Sequence, residues 1–582
     1  MAQVKFLMAD PEVKVINSPR QVIFIHGGDT ADLAPLSDEP ISKPQTLAGI
    51  CQQGAETSII QLVFDGGRPI ALHAWRPVHS KYEIFFSPRP DGDVWITDTV
   101  RNMIACTPPS DRNVSEEHTL DHLIFRRIPM NGCILQGWQR LGPGEFCKID
   151  LSSREVEISQ FDRLGAQLVY MPPNERLEAL DSLFNEIMHP YNGKQGMASL
   201  FSGGVDSTLL YTYLTEETVS VTAMPDSLMP HEKETLDLAT NLLGISPDYF
   251  PVSSDDYLDQ LEVAIEGFGL PPELDQITFY TNLFNLPHSS FLSGTPADSL
   301  LGSYPTDGWS GLFMMAMVRF GGVDMARAFA PLIPARYRQR YSDMADWAEE
   351  FHYDLFHLDG TTALEDAFTS FPLLFRAFGK DKVLERLQNR LDQLIPTVDR
   401  SAPESDLYLQ HMEMLHWMGF IAGGAALQER QYGLAFGKSV ILPFTDRRLV
   451  DFTCSIPVKE RYLTETRQAK PWLKKLLAKK LPGYPVFARK GTTQYPMPDF
   501  FAKGGPLEHA WERYSVFSPL KETVEPDLRA HWSDLNWNVL GYAIWQERVL
   551  NNGDLNLLPL TKTFSYALEA TEAQRSALTA AK

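Results

Sequence analysis

At 582 residues the chain exceeds what one hydrophobic core normally organises, so two to four domains are expected, with two the simplest arrangement. Hydrophobic residues at 44% and aromatics at 11% exclude disordered and fibrous classes. A formal net charge of −22 opposes a nucleic-acid partner, whose phosphates are held by Lys and Arg, and favours a small substrate.

The five cysteines, Cys51, Cys106, Cys133, Cys147 and Cys454, form no C-x-x-C pair, which fits a reducing compartment. With no basic-then-apolar leader pattern and no run approaching about 18 consecutive apolar residues, a cytoplasmic protein without a membrane partner is expected. A homo-oligomer is compatible with this composition.

From residue 21 to about 163, short β-rich runs (21–25, 59–64, 93–97) alternate with Gly, Pro and Asp turns, predicting a sheet-dominated first unit. After Met171-Pro172-Pro173-Asn174, the apolar residues Leu177, Leu180, Leu183, Phe184 and Ile187 recur at helical spacing, with Asn174 as the expected N-cap. The domain boundary is placed here, dividing 1–172 from 173–582. Beyond it, strand-like runs at 197–201, 219–223 and 290–292 are separated by longer helical stretches, the pattern of a parallel α/β sheet. Met314, Met315 and Met317 read as plastic core filler, and Trp537, Leu540 and Ile544 as helix packing.

Chemistry concentrates at Ser202-Gly203-Gly204-Val205-Asp206-Ser207, where a strand ends and a helix begins. Main-chain amides and the positive helix end make such a turn a phosphate nest, and glycine permits close approach and positive φ. Ser202 and Ser207 add hydroxyl donors, whereas Asp206 would repel phosphates unless a cation lay between, which points to Mg²⁺. Gly433-x-x-x-Gly437-Lys438-Ser439 is one residue short of a Walker A loop and reads as structural.

Two further segments extend the pattern. Ser293-Gly294-Thr295-Pro296-Ala297-Asp298-Ser299-Leu300-Leu301-Gly302-Ser303-Tyr304 and Leu442-Pro443-Phe444-Thr445-Asp446-Arg447-Arg448-Leu449-Val450 follow at matching order and spacing. Lys470-Pro471-Trp472-Leu473-Lys474 and Arg489-Lys490-Gly491 complete the series. This succession, spanning roughly residues 190–550, resembles the asparagine synthetase family, whose synthetase domain is a PP-loop ATP pyrophosphatase marked by S-G-G-x-D-S.

The resemblance implies an α/β protein in which an N-terminal β-rich, Ntn-hydrolase-like sandwich, a glutaminase relic, precedes a PP-loop domain with a parallel sheet and extra helices. It implies ATP and Mg²⁺ as cofactors. Leu200, Ser202, Gly203, Gly204, Asp206, Ser207, Thr222, Met224, Ser293, Gly294 and Lys470 would surround the nucleotide, and Asp206 and Asp298 would share the metal. Lys474, Lys475, Lys479 and Lys480 read as solvated helix charges.

Family members adenylate a carboxylate, releasing pyrophosphate, and an amine then captures the acyl group. The glutamine-dependent ones use a cysteine exposed after Met removal; here Ala2 occupies that place and no cysteine precedes Cys51. The stretch from Ile134 to Glu145 is still similar to the glutaminase domain. The same loss marks beta-lactam synthetases and lasso peptide cyclases, so lactam formation from an amino acid or peptide substrate is expected. Under that resemblance Glu429 is the general base and Lys490 stabilises the transition state, while Thr295 stands where the family places a tyrosine, so either Glu429 acts directly or another group assists. An intermolecular amide ligase, a lasso macrolactam cyclase, a PP-loop tRNA-modifying enzyme and a non-catalytic scaffold are the alternatives.

Overall fold

Buried and half-exposed residues alternate at the start of β1 (Gln3–Met8), where Val4 and Phe6 point inward, the period-two signature of a strand. The structure, a computed structural model, describes residues 2–26, 58–78, 80–128, 131–162, 168–215, 217–226, 228, 230–273, 275–301, 325, 327–335, 338, 372–394, 425–457, 460, 470–487, 495–520, 524, 526 and 534–568. With β6 (Phe85–Pro88), β7 (Val94–Thr97), β8 (Gln139–Arg140) and β16 (Lys562–Ala567), β1 builds a five-stranded sheet in the order β16-β1-β7-β6-β8.

A second, antiparallel sheet contains β2 (Lys14–Asn17), β3 (Gln21–His26), β4 (Ser58–Asp65), β5 (Arg68–Arg76), β9 (Glu145–Asp150) and β10 (Val156–Gln160), ordered β10-β9-β5-β4-β3-β2. Gly66 and Gly67 close the β4–β5 hairpin with φ of 56° and 78°, a two-residue turn whose twist matches the strands and which side chains disfavour. The two sheets face each other across one core, where Phe6 stacks on Phe24 with ring centroids 4.2 Å apart.

The last strand departs from the expected division at 173–582. β16 pairs antiparallel with β1, and Phe564 and Tyr566 meet Phe24 and Phe6 edge-on at 5.1 and 5.9 Å. Covering the β1 edge satisfies its backbone groups, so the chain's end returns to its first sandwich.

Helices α1 (Val100–Cys106) and α2 (Glu116–Phe125) leave the sandwich and meet the second unit, which begins with α3 (Pro173–Met188). The N-cap of α3 is Pro172 rather than the expected Asn174, because Pro173 takes the first helical position, where a missing N–H costs nothing. A parallel sheet follows, built from β11 (Met197–Leu200), β12 (Val219–Pro225), β13 (Asp248–Val252), β14 (Ser290–Leu292) and β15 (Ser439–Ile441) in the order β13-β12-β11-β14-β15. Its crossovers carry α4 (Val205–Tyr211), α5 (Pro230–Leu243), α6 (Tyr257–Phe268) and α7 (Ile277–Phe284).

The chain moves outward from β11 to β13 and then returns to β14 on the other side of β11. Such a reversal opens a crevice beyond the carboxyl ends of β11 and β14, the place where doubly wound sheets bind ligands. Further helices are α8 (Ala297–Leu301), α9 (Ala425–Ala435), α10 (Arg447–Ser455), α11 (Pro471–Lys480) and α12 (Asp534–Trp545). Trp537, Leu540 and Ile544 of α12 are buried in one apolar cluster with Met103 of α1 and Leu120 of α2, so the two units share a core. Among the described residues no helix is long and apolar enough to cross a membrane. Residues 312–320, with their methionines, lie outside those described.

Candidate functional site

β11 delivers Ser202 to Gly204 at the sheet's reversal point, and α4 starts at Val205. Gly203 adopts φ +71°, and a Cβ there would lie 2.6 Å from Leu236 Cα on α5, so both conformation and space demand glycine. The turn is knotted by its serines: Ser202 N donates to Ser207 Oγ at 3.2 Å, the two hydroxyls lie 3.1 Å apart, and Gly204 N donates to Ser202 Oγ at 3.3 Å. Buried Tyr484 braces it from behind, donating to the Gly203 carbonyl at 2.7 Å. The first amides of α4 precede any intrahelical acceptor and face the crevice end of the sheet, an arrangement suited to phosphate oxygens.

The loop after β14 closes on this turn from the neighbouring strand. A Cβ on Gly294 would stand 3.3 Å from Asp206 Cβ and 3.4 Å from Ser207 N, so this glycine permits the two loops to touch. Asp298 follows in α8, whose backbone is described while that residue's side chain is not. Lys470, at the start of α11 with φ 53°, is buried and places Nζ 2.5 Å from Asp206 Oδ2. A cation is thus already seated on the Asp206 carboxylate. Among the described residues no group of three or more His, Cys, Asp or Glu could hold a metal, so any Mg²⁺ would rest on one or two carboxylates and on phosphates, its usual mode.

On the other side of the β14 loop lies a second cluster of polar side chains. Glu429 of α9 is buried, and the hydroxyls of Ser293, Thr295 and Tyr280 surround its carboxyl closely enough to influence its charge. Burial raises its pKa above the ordinary carboxylate value, and the three hydroxyls oppose that rise. Tyr280, on α7, is held protonated, burial first and the adjacent Glu429 second raising its pKa well above the usual phenol. The approach of α7 to α9 is fixed one residue further on, where the hydroxyls of Thr281 and Tyr432 lie 2.6 Å apart. Ser293 Oγ also stands 3.3 Å from Thr295 Oγ1.

The structure therefore gathers Ser202, Gly203, Gly204, Asp206, Ser207, Ser293, Gly294 and Lys470 into one crevice and brings Glu429 to the Ser293 loop. Leu200 ends β11; Thr222 and Met224 lie near the end of β12, Thr222 donating its hydroxyl to the Phe201 carbonyl at 2.6 Å. Lys490 lies outside the described residues. Tyr280 escaped the sequence reading because it sits on a separate helix whose Phe284 spacing reads as packing; the two rings stack at 5.3 Å.

The Walker-like turn is structural, since Lys438 Nζ donates to the Leu286 and His288 carbonyls at 2.8 and 2.7 Å. Of the lysines read as solvated, Lys480 is instead 2.9 Å from Asp181 and 3.8 Å over the Tyr213 ring.

The model of one protein family, described as asparagine synthase, matches residues 192–523. No curated protein matches the chain.

Proposed function

The chain belongs to the asparagine synthase family, whose chemistry is ATP-dependent amide-bond formation, and we propose that it closes an amine of a small amino acid or peptide substrate onto that substrate's own adenylated carboxylate. The substrate carboxylate attacks the α-phosphorus of ATP and pyrophosphate leaves. The amine nitrogen then attacks the acyl carbon, the C–N bond forms, the bond to AMP breaks, and the amine proton passes to Glu429, relayed by Tyr280. The carrying observation is half-buried Tyr280 beside buried Glu429 at the Ser293 loop, where burial raises the carboxylate's pKa and with it the group's basicity.

In this reading Ser202, Gly203, Gly204 and Ser207 cradle the phosphates, with Ser293 and Gly294 forming the opposite wall. Leu200, Thr222 and Met224 flank the nucleotide at the strand ends. Asp206 and Asp298 would hold Mg²⁺, which when bound neutralises the departing pyrophosphate. The Lys470 ammonium on Asp206 marks that carboxylate as a cation seat, and Lys470 itself serves the phosphates. Lys490 stabilises the oxyanion of acyl transfer.

Nitrogen comes from the substrate rather than from glutamine. Burial pushes the Cys106, Cys133 and Cys147 thiols up to about 12, and Cys454 is buried, so no described cysteine offers a thiolate nucleophile. Incubation with ATP, Mg²⁺ and candidate amino acids should release AMP and pyrophosphate and give a product lighter than the substrate by one water. A condensation product of two molecules would replace the lactam reading with an intermolecular ligase, and release of neither nucleotide product would refute adenylation.

A further inference from the structure

Helix α9 carries four consecutive polar residues, Gln428, Glu429, Arg430 and Gln431, each no more than 4% exposed. At 100° per residue such a run covers the whole circumference, so each side chain must find a different buried partner. Glu429 turns to the reaction crevice. The other three turn to the first unit or to residues that it holds.

Arg430 Nη2 lies 3.2 Å from Asp10 Oδ2, and its guanidinium sits 4.1 Å over the Tyr82 ring. Asp10 is fixed in turn, its amide donating to Asp98 at 2.9 Å and its carboxylate lying 3.4 Å from His26 Nδ1. Gln431 donates to Glu83 and accepts from Val100 N at 3.4 Å. Gln428 accepts from Glu273 N at 3.0 Å, and Glu273 lies 2.8 Å from Arg127, ahead of the helix that bears Tyr280. Helix α9 and the segment leading into the Tyr280 helix are thus gripped by buried polar groups of the N-terminal unit.

Stability does not account for this arrangement, because buried ion pairs rarely outperform well-packed apolar residues of the same volume. What they supply is a unique orientation. We propose that the N-terminal unit is a positioning device for the Tyr280–Glu429 pair, and that Arg430, through Asp10 and Tyr82, is the positioning residue that sets the rotation of α9 and so the aim of the Glu429 carboxylate. The inference rests on the amide-closing role proposed for Glu429.

The test uses the full chain with Arg430→Ala, Arg430→Lys and Asp10→Asn, the last keeping the shape of the contact should Arg430→Ala fold poorly. Adenylation is read by ATP–pyrophosphate exchange, closure by amide product, and the packing of α9 by hydrogen–deuterium exchange across residues 425–435. Arg430→Ala and Asp10→Asn should keep pyrophosphate exchange within about 2-fold and leave KM unchanged, while the kcat of amide formation falls by about 10-fold or more, as small misplacements of a reacting group do. Arg430→Lys should recover most of that loss.

Parallel loss of exchange and closure, or no change in either, would overturn the proposal. If the wild-type protein exchanged pyrophosphate but made no amide, the closing role of Glu429 would fall. The grip on α9 would then be judged by hydrogen exchange alone, faster exchange in Arg430→Ala supporting it and unchanged exchange overturning it.

Discussion

A carboxylate buried beside three hydroxyls is pulled two ways, burial favouring the neutral acid and the hydroxyls favouring the anion. Burial prevails at Glu429, so its protonation extends above the ordinary carboxylate range. The rate of amide formation should therefore rise with pH through that elevated value and level off once Glu429 is ionised. Glu429→Gln should remove this acid limb and cost about 100-fold or more in closure while sparing pyrophosphate exchange. A profile unchanged in the variant would assign the limb to another group.

Tyr280→Phe keeps the ring against Phe284 and should slow closure without loss of fold. At Gly203, alanine would meet both a left-handed φ and the Leu236 backbone, costing about 1–3 kcal/mol in loop strain. Calorimetry should show weakened ATP binding for Gly203→Ala, and wild-type affinity would contradict the cradle. The glycines and Asp206 were legible because contiguous spacing encodes a loop. Tyr280 was not, because helix packing alone brings it to Glu429.

Short apolar runs between helices marked β11, β12 and β14 in the sequence, since a strand covered on both faces needs little else, whereas the sheet's edge strands were not singled out, β13 because it is largely exposed. β16 lacked that mark. Its run Lys562–Ala567 alternates Thr563, Phe564, Ser565 and Tyr566, a period that signals one covered face without saying which sheet covers it. Pairing with β1 answers the question and ties the chain's last described strand to its first. Phe564→Ala should then destabilise the sandwich by about 2 kcal/mol, roughly half the loss at a fully buried phenylalanine, because Phe564 is half-buried against Phe24. The loss should appear in thermal unfolding while the PP-loop keeps its ATP affinity. An unchanged transition would mean that β16 contributes little to the sandwich.

A shared apolar cluster running from α1 and α2 into α12 couples the unfolding of the two units. One buried group at this junction makes the coupling visible through pH. His122 of α2 is 2% exposed, its carbonyl accepting from Asn538 on α12 at 3.0 Å and its ring lying 6.2 Å from that of Tyr542. Burial first, and the Arg127 charge with it, push its pKa from the usual 6.5 to about 3, while Asn538 opposes the shift. Below pH 6.5 the unfolded chain takes up a proton that the folded protein refuses until about pH 3, so stability should fall as pH drops through that window and stay level above it. Asp10 acts lower on the scale, because its depressed carboxylate contributes stability above its unfolded pKa and loses it as pH falls from there through the folded value. Between pH 7.5 and 5 the His122 contribution should amount to roughly 2 kcal/mol. His122→Gln cannot take up that proton, so comparing its thermal transition with the wild type's at the two pH values isolates the histidine from every other titrating group. A smaller pH drop in the variant, carried by a single transition, is the expected outcome. Equal drops would show that His122 is not held neutral at the junction, and two separated transitions would show that the shared core does not bind the units into one cooperative fold.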